Sequence, residues 1–460
     1  MLKSKLYKIL LLSLGFVIIQ SCSELPTGVK INQPPETYLS LFPDSIISPQ
    51  KTKIKISWWG DDPDGIVAGY YFSFDNLNWT FTTHNDSTFQ LAINGLDSTF
   101  RFWVAAVDNK GLRDPTPASN RYPVVNSPPS VSFNTGTDIP DTTFTVASFA
   151  WTGTDPDGDN TVRYYYWSLN DTVNWHRIPA STTTITLRQD SGIVPNSKNI
   201  LYLKAQDIAG SYSPIVRMPD TNKTWYVRAP VGNYLLLADY FKTAPTDLQA
   251  ALTFYSTAFG NTPYSILDIK VNNGGNIPKI VNPMFIETLK LFRCVIWVAW
   301  RGINTGDNAN FDLAQQSLPY YLLAGGKVLF TTGFPDQISA PDIVSFASID
   351  SVSNNEYSGF TTDYPLIVVD NAYDTLYTGS QIPQTFNIDR MRVLYPTIGT
   401  HTIYKMQNPS NGSQTGVICI KDTDQNPRIV FMSVALHRMN YTGSAVNFFR
   451  HITQVDFGIR

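Results

Sequence analysis

The pattern of apolar and polar positions changes near residue 230, and this change divides the chain. Before it, short runs such as "KIKIS" at 53–57 and "TFRFWVAAV" at 99–107 alternate or are rich in β-branched and aromatic residues. Gly, Asp, Asn and Pro bound these runs, which is typical of antiparallel strands. After it, continuous apolar runs such as "YLLLA" at 234–238 alternate with longer helical patterns. That order predicts βαβ units and a parallel sheet buried on both faces.

The first half of the chain contains an internal duplication. "WWGDDPDGIV" at 58–67 aligns with "WTGTDPDGDN" at 151–160, and "VAGYYFSFDNLNW" aligns with "VRYYYWSLNDTVNW". Each copy holds about seven predicted strands. Because of Trp58 and Trp151, the Tyr-Tyr strands and the Ala-x-Asp segments, both copies resemble fibronectin type III and related immunoglobulin-like modules of bacterial surface proteins. The resemblance implies two antiparallel β-sandwiches.

The repeated Asp-Pro-Asp-Gly loop has two interpretations. Trp58 lies on the predicted second strand, and Asp108 and Asp207 each end a late strand, so the resemblance places these loops at one pole of each sandwich. Gathered carboxylates suit Ca²⁺, which takes six to eight oxygen ligands. The favoured alternative is a plain turn, because Asp-Pro and Asp-Gly shape turns and Asp side chains cap backbone amides. The candidate calcium ligands are Asp62, Asp64 and Asp108 in the first copy, and Asp155, Asp157, Asp159 and Asp207 in the second.

The second half of the chain has a different set of apolar blocks. Predicted strands at "YSILDIK", "CVIWVAW" and "KVLFTTG" are separated by predicted helices. Through "LLLADY", "FRCVIWVAWRG", "LAGGKVLFTTG" and "PRIVFMSVALHRMN", residues 230–460 loosely resemble the class I glutamine amidotransferase-like, flavodoxin-like superfamily. The resemblance implies a doubly wound, mostly parallel α/β domain.

The chemistry of that superfamily is not matched by this sequence. An amidotransferase needs a nucleophilic Cys on the turn after a strand, with a His nearby. The corresponding turn, "LFTTGFPDQ", has Gly333 and Phe334 at that place. Cys294 is expected at the start of a strand and Cys419 inside another. Nucleophile-elbow, phosphate-loop and zinc-helix motifs are also missing, so the chain is more consistent with a binding protein than with an enzyme.

A candidate ligand crevice remains at the carboxyl ends of the predicted parallel strands, where open α/β sheets bind ligands. Asp239, Arg301, Thr332 and His437 each follow an apolar strand. An Asp–His pair with an Arg can orient a substrate or bind an anionic group. The favoured alternative is that these side chains cap loops on a solvated rim.

The N-terminal residues predict export. "MLKSKLYK" carries three lysines and precedes the apolar run "ILLLSLGFVIIQ", a pattern typical of a secretory signal peptide over residues 1–21. "IIQSC" resembles a bacterial lipobox, which implies lipidation of Cys22 and a membrane partner reached through the lipid anchor. The implied location is the outer membrane of a Gram-negative bacterium. Whether the protein faces the periplasm or the cell surface stays open.

Composition limits the number of domains and the class of partner. With 460 residues and 43% hydrophobic positions, the chain is long enough for about three domains. The net charge of −3 and the lack of a basic run argue against nucleic acid as a partner. The expected architecture is multidomain β plus α/β: two antiparallel β-sandwiches followed by a doubly wound, mostly parallel α/β domain. The predicted segments are a signal peptide at 1–21, a lipidated tether at 22–35, sandwiches at 36–126 and 127–229, and the α/β domain at 230–460.

Three functional hypotheses fit these observations. The leading one is a non-catalytic cell-envelope lipoprotein that presents its α/β domain for binding a protein or glycan partner. The second is a divergent envelope hydrolase or amidase that uses Asp239 and His437. The third is a structural component of an envelope assembly.

Overall fold

The computed structural model describes residues 31–40, 52–91, 97–136, 139–238, 245–269, 283–299, 309–333, 346–354, 357, 360–380, 388, 391–409 and 411–459. The predicted signal peptide, Cys22 and most of the predicted tether lie outside the described residues, as do the crevice candidates Asp239 and Arg301. The chain is mostly β, with several antiparallel sheets. It divides into two compact units: Met1–Ser130 with Gly153–Tyr164 and Ala205–Ser213, and Val131–Thr152 with Tyr165–Lys204 and Pro214–Arg460.

The first copy of the duplication forms two facing antiparallel sheets. Its strands are β1 (Glu36–Leu39), β2 (Lys53–Asp61), β3 (Val67–Ser73), β4 (Thr80–Thr82), β5 (Asp86–Gln90), β6 (Ser98–Asp108) and β7 (Ala118–Val124). The sheet orders are β1-β2-β5 and β4-β3-β6-β7. Alternation along β2 directs Ile54, Ile56 and Trp58 into the core, where the Trp58 ring lies 5.5 Å from that of Phe102.

The second copy repeats this strand order. Its strands are β8 (Ser130–Phe133), β9 (Thr142–Thr143), β10 (Val146–Thr154), β11 (Val162–Leu169), β12 (His176–Pro179), β13 (Thr184–Arg188), β14 (Ser197–Asn199), β15 (Leu201–Asp207), β16 (Val216–Met218) and β17 (Trp225–Val227). Sheets β13-β10-β8 and β12-β11-β15-β16 match those of the first copy, and a small sheet β14-β17-β9 is added. Trp151 on β10 takes the place of Trp58 and packs edge-on against Tyr165. The two copies are therefore the same β module.

Strands and helices alternate at the start of the C-terminal part. Its strands are β18 (Tyr234–Ala238), β19 (Tyr264–Asp268), β20 (Cys294–Ala299), β21 (Lys327–Thr332), β22 (Ile349–Val352), β23 (Ile367–Val368), β24 (Gly379–Ser380), β25 (Leu394–Pro396), β26 (His401–Asn408), β27 (Asn411–Lys421), β28 (Ile429–Met432) and β29 (Met439–Asn440). The helices are α1 (Pro245–Phe259), α2 (Pro283–Leu289), α3 (Ala309–Leu323) and α4 (Ser444–His451).

The main sheet has a parallel half and an antiparallel half. Strands β19-β18-β20-β21-β28 run parallel in that order. Strands β22, β23, β25, β26 and β27 extend the sheet in antiparallel register, with several irregularities. The sheet is therefore mixed, whereas the sequence predicts a mostly parallel one. The antiparallel strands are short, bulged or partly exposed, so they lack the continuous apolar runs that mark a buried parallel strand.

Helices cover both faces of the parallel half. One face packs against α1 and α4 through Phe254 and Phe448, and the other against α3 through Phe311 and Leu318. All five residues of β18 are buried as a result, which explains their unbroken hydrophobicity. Among the described residues, no helix is long and apolar enough to cross a bilayer.

Candidate functional site

The first acidic loop joins β2 to β3 and lies beside the loop that follows β6. Asn109 N donates to Ile66 O across these loops at 3.0 Å, and Asp64 N donates to Asp62 Oδ1 at 3.2 Å. A Cβ at Gly65 would lie 2.5 Å from Asp62 Oδ2. A side chain at the last position of the repeated motif would therefore displace the folded-back carboxylate of Asp62.

Asp108, the last residue of β6, organises the neighbouring hairpin. Its Oδ1 accepts from the backbone N of Lys110 and of Leu112, each at 2.8 Å, and its Oδ2 accepts from Asn32 Nδ2. Burial raises the pKa of Asp108, but the hydrogen bonds outweigh burial and hold the pKa below its ordinary value. The structure thus brings Asp62, Asp64 and Asp108 to one pole, mainly as hydrogen-bond acceptors.

The segment entering the first module is bonded to this pole. Gln33 N donates to Asp64 Oδ1 at 3.1 Å, and Asn32 bonds to Asp108. Lys110 Nζ donates to Asn32 Oδ1 at 2.8 Å. We call the contacts of Asn32 and Gln33 with Asp64 and Asp108 the first linker clamp. The acidic residues therefore hold the chain that leads into the module.

The second acidic loop is a tighter version of the same turn. Asp157 N donates to Asp155 Oδ1 at 2.8 Å, and Asp155 N donates to Asp159 Oδ1 at 3.0 Å. Gly158 has a φ of +123° and donates from N to Asp155 O at 3.0 Å. A residue with a Cβ rarely adopts that backbone conformation, so the turn accounts for the glycine of the second copy, whereas Gly65 of the first copy does not have a positive φ.

The segment entering the second module repeats the clamp. "NSPP" at 126–129 has the same Asn-x-Pro-Pro order as "NQPP" at 32–35. Ser127 N donates to Asp157 Oδ2 at 2.7 Å, and Asn126 Nδ2 donates to Asp207 Oδ2 at 2.8 Å and to Ser211 Oγ at 3.0 Å. We call the contacts of Asn126 and Ser127 with Asp157 and Asp207 the second linker clamp.

The first module also bonds directly to the second acidic loop. The carbonyl oxygen of Pro156 accepts from Thr52 Oγ1 at 2.8 Å and from Gln90 Nε2 at 3.0 Å. Thr52 is fully buried. The Asp-Pro-Asp-Gly loop of the second module therefore forms hydrogen bonds both with the linker and with the end of the preceding module.

At the second pole, burial disfavours the charged form of the Asp155 carboxylate. Asp155 and Asp157 are 6% and 5% exposed. Burial raises the pKa of Asp155, and the charges of Asp157 and Asp207 raise it further, against hydrogen bonds that lower it. The calcium prediction for the two poles stays a prediction.

A charged cluster that the sequence did not single out lies in the antiparallel half of the sheet. His401 Nε2 lies 2.9 Å from Asp370 Oδ2, and His401 Nδ1 lies 3.6 Å from Asp424 Oδ1. Within the described residues, these three side chains form the one group of metal-ligating type whose ligand atoms all lie within 4.8 Å of one another. Lys421 Nζ, however, lies 3.3 Å from Asp370 and 3.2 Å from Asp424. A cation is thus already paired with both carboxylates.

The charges of this cluster are mutually stabilised. Burial raises the pKa of Asp370, but hydrogen bonds from Ala372 and Lys421 lower it below its ordinary value. Burial lowers the pKa of Lys421, but its carboxylate partners raise it overall. His401 pairs with Lys421 across the β26–β27 hairpin, so the turn sequence "NPSNG" at 408–412 was the signal that could have placed them together.

The predicted crevice is only partly described. Thr332 ends β21, is fully buried and donates to Gly333 O at 3.0 Å. His437 lies in a short 3₁₀ turn, Leu436–Arg438. Burial, together with the charge of Arg438, lowers the pKa of His437 to about 3. Its imidazole is therefore neutral at ordinary pH and supplies no positive charge for an anionic ligand.

Both described cysteines are packed inside strands. Cys294 begins β20 and Cys419 lies within β27, and each is fully buried. Burial raises the pKa of both thiols. Since the thiolate is the reactive form of cysteine, neither side chain is set up as a nucleophile.

A groove between α2 and α3 has a volume of about 620 Å³ and is lined in part by Pro283, Ile286 and Tyr320. Tyr320 is 60% exposed. On the groove wall, Glu287 pairs with Arg188 at 2.6 Å and with Lys290 at 2.8 Å. The volume falls in the range of pockets that hold small ligands.

Comparisons with solved structures find distant similarities to small β domains. The fibronectin(III)-like modules of Clostridium thermocellum CbhA match 42% of this chain and 95% of their own at 14% identity, with a TM-score of 0.18. The FN1–FN3 domains of chicken CNTN1 match 44% of this chain and 68% of their own at 13% identity, with a TM-score of 0.23. The PKD1 domain of Vibrio anguillarum Epp matches 21% of this chain and 100% of its own at 14% identity, with a TM-score of 0.17.

No family model and no curated protein matches the chain. The structural neighbours are fibronectin III-like and PKD domains, and the N-terminal region of this chain is β-rich. At these scores, the likeness carries no argument about what the protein binds or does.

Proposed function

We propose that this chain is a non-catalytic, lipid-anchored envelope protein in which two β modules present a C-terminal domain for binding a protein or glycan partner. The observation that carries the proposal is the duplicated linker clamp. Each module uses its acidic pole to hold the Asn-x-Pro-Pro segment that enters it. A chain of modules whose joints are bonded in this way suits the presentation of a distal domain.

The two prolines of each linker strengthen this argument. Proline restricts its own φ and favours extended structure in the residue before it, so the segment loses little conformational entropy when it is bonded at both Asn and the following residue. Pro35 and Pro129 are both buried. The linkers therefore behave as part of the modules rather than as flexible spacers.

We also propose that residues 230–460 form a doubly wound α/β domain. Its five parallel strands are arranged as second, first, third, fourth and last, which is the order of flavodoxin-like sheets. Helices on both faces support the same assignment. The buried thiols Cys294 and Cys419 favour recognition over turnover, because an amidotransferase-like reaction needs an accessible thiolate.

The proposed anchor rests on the sequence alone. Three lysines, an apolar run and Cys22 form the pattern of a processed lipoprotein. Labelling of cells with an alkyne-bearing fatty acid should modify the wild type and leave Cys22→Ser unlabelled. In cells treated with globomycin, an inhibitor of lipoprotein signal peptidase, the unprocessed precursor should accumulate. An unlabelled wild type would remove the anchor from the proposal.

The binding function is tested with the purified full-length protein in detergent. It is incubated with isolated peptidoglycan sacculi and with a panel of soluble envelope glycans, and both retention and released fragments are measured. We expect saturable retention without release of soluble fragments, weakened in Tyr320→Ala if the α2–α3 groove contributes. Release of fragments would instead favour the hydrolase that uses Asp239 and His437.

A structural component of an envelope assembly is the second candidate, and the same clamps favour it. It predicts no saturable glycan binding but stable co-purification with one defined envelope complex after mild cross-linking. Substitution of Asn32 and Asn126 together should then disturb the assembly, whereas Tyr320→Ala should not. Loss of glycan binding in Tyr320→Ala would therefore favour the first candidate, and loss of assembly in the double Asn variant would favour the second.

A further inference from the structure

Both acidic poles contain buried oxygen atoms without a hydrogen-bond partner, but the first has one, Asp62 Oδ2, and the second has three. In the second module, Asp155 Oδ2, Asp157 Oδ1 and Asn126 Oδ1 are buried and have no hydrogen-bond partner. Each is an acceptor. The other oxygens of the two carboxylates are already engaged by Asp157 N and Ser127 N. Three buried acceptors from linked residues thus lack a donor, which is unfavourable unless a cation or water is present.

In the first module, a lysine bonds to the linker amide oxygen that is left without a donor in the second. Lys110 Nζ donates to Asn32 Oδ1 at 2.8 Å, and Asn32 is the counterpart of Asn126. Lys110 stands two residues after Asp108, and the residue two after Asp207 is Ala209. The ammonium group of the first pole therefore has no equivalent in the second. Within the described part of the chain, the carboxylates of neither pole form an ion pair with Lys or Arg, so the difference lies in the lysine that bonds to Asn32.

Burial also differs between the poles. Asp155 and Asp157 are more than nine-tenths buried, while Asp62 and Asp64 are partly exposed. The acidic side chains of the first pole are therefore more accessible to water, although Asp62 Oδ2 is itself buried. At the second pole, two carboxylates are therefore buried, and no basic side chain of the described residues pairs with them.

We propose that the second linker clamp binds one Ca²⁺ ion through Asp155 Oδ2, Asp157 Oδ1 and Asn126 Oδ1, with water completing the coordination. Hard carboxylate and amide oxygens are the ligands that calcium prefers, and its flexible geometry tolerates an irregular site. One ligand comes from the linker and two from the module, so the ion ties the linker to the second module. In the first module, Lys110 Nζ already occupies the amide oxygen of Asn32 that corresponds to Asn126 Oδ1, so we expect no equivalent ion there.

The site is tested by titrating the purified full-length protein with CaCl₂ after EDTA treatment, using calorimetry and terbium luminescence. We expect one ion per chain and an increase in the melting temperature of the second module. Asp155→Asn and Asp157→Asn should each weaken binding by roughly tenfold or more, because fewer ligand charges lower calcium affinity. Asp64→Asn, in the first module, is the matched control and should leave affinity unchanged.

Two substitutions that give one module the residue found in the other make the test more specific. Ala209→Lys places an ammonium group where the first module has one, so it should abolish calcium binding while the melting temperature no longer responds to EDTA. This variant remains informative if the aspartate variants fold poorly. Lys110→Ala should create a second, weaker ion site at the first pole.

The proposal is overturned if the wild type binds no calcium in calorimetry and its melting temperature is the same with EDTA and with CaCl₂. It is also overturned if Ala209→Lys binds calcium as tightly as the wild type. Equal loss of binding in Asp64→Asn and Asp157→Asn would place the ion elsewhere.

Discussion

The two β modules have the same strand order, acidic turn and linker clamp, yet they balance charge differently. The first pole carries Lys110, which bonds to the linker residue Asn32. The second carries Ala209 and leaves three buried oxygens without a donor. The comparison shows that two copies of one motif can keep the same contacts with the linker while the polar groups around those contacts differ.

The cores of the modules also differ, in the hydrogen bonding of their buried tryptophans. Trp58 and Trp151 occupy equivalent positions, and each is 1% exposed. Trp58 Nε1 donates to His84 O at 3.1 Å, while Trp151 Nε1 is buried without an acceptor. The ring is therefore held by packing in both modules, and by a polar contact in one.

The largest expected effect comes from removing these rings. Trp58→Ala and Trp151→Ala should each destabilise their module by roughly 3–5 kcal/mol, because a large buried side chain is replaced by a cavity. Trp58→Phe should be more damaging than Trp151→Phe, since only the former loses a hydrogen bond. Chemical denaturation combined with segment-resolved hydrogen exchange measures both. Equal losses in the two Phe variants would contradict the inferred difference in polar contacts.

The linker clamps are expected to contribute less. With calcium removed, Asn126→Ala should destabilise the second module by about 1–3 kcal/mol, because Asp207 loses a donor while buried. Asn32→Ala should act in the same direction on the first module. Gln33→Ala and Ser127→Ala are the controls, because these residues bond to the acidic poles through backbone N. Controls as damaging as the Asn variants would show that side-chain bonding is not the source of the effect.

The two poles should respond oppositely to acid in calcium-free solution. The pKa of Asp155 is raised in the folded chain, so between its folded pKa and the ordinary value near 3.8 the folded state binds more protons than the unfolded one. Lowering the pH toward 4 should therefore stabilise the second pole. The pKa of Asp108 is lowered, so the first pole should lose stability only below pH 3.8.

Hydrogen-exchange protection of residues 155–162 and 62–67, corrected for intrinsic exchange rates, resolves this difference. Asp155→Asn is the control, because it removes the titrating group and should flatten the response of the second pole. A second pole that weakens steadily from pH 7 to pH 4 would contradict the prediction.

The smallest expected effect concerns the tryptophans that cover the outer strands. The Arg113 guanidinium lies 3.6 Å from the Trp79 ring centroid, and Lys204 Nζ lies 4.3 Å from that of Trp175. Arg113→Ala and Lys204→Ala should each destabilise by about 0.5–1 kcal/mol. Arg113 should have the larger effect, since a guanidinium also stacks on the ring. Thermal melting with Arg113→Lys as the matched variant tests the order.

The sequence by itself determined the duplication, many strands of the two β modules, the turn at each Asp-Pro-Asp-Gly and the first helix–strand alternations after residue 230. These features depend on periodicity and turn chemistry, which act over a few residues and are therefore visible in a single chain. Cys294 also begins a strand and Cys419 lies within one, as the pattern predicts.

Only the tertiary structure decided which distant groups meet. Asn126 bonds to Asp207 across 81 positions, and Asp370, His401 and Lys421 converge from three segments of the antiparallel half. It also decided that Thr332 and His437 are buried rather than exposed on a rim. Hydrogen-bond partners and burial depend on how packed strands bring separate loops together, and that information is spread over the whole fold rather than held in any short motif.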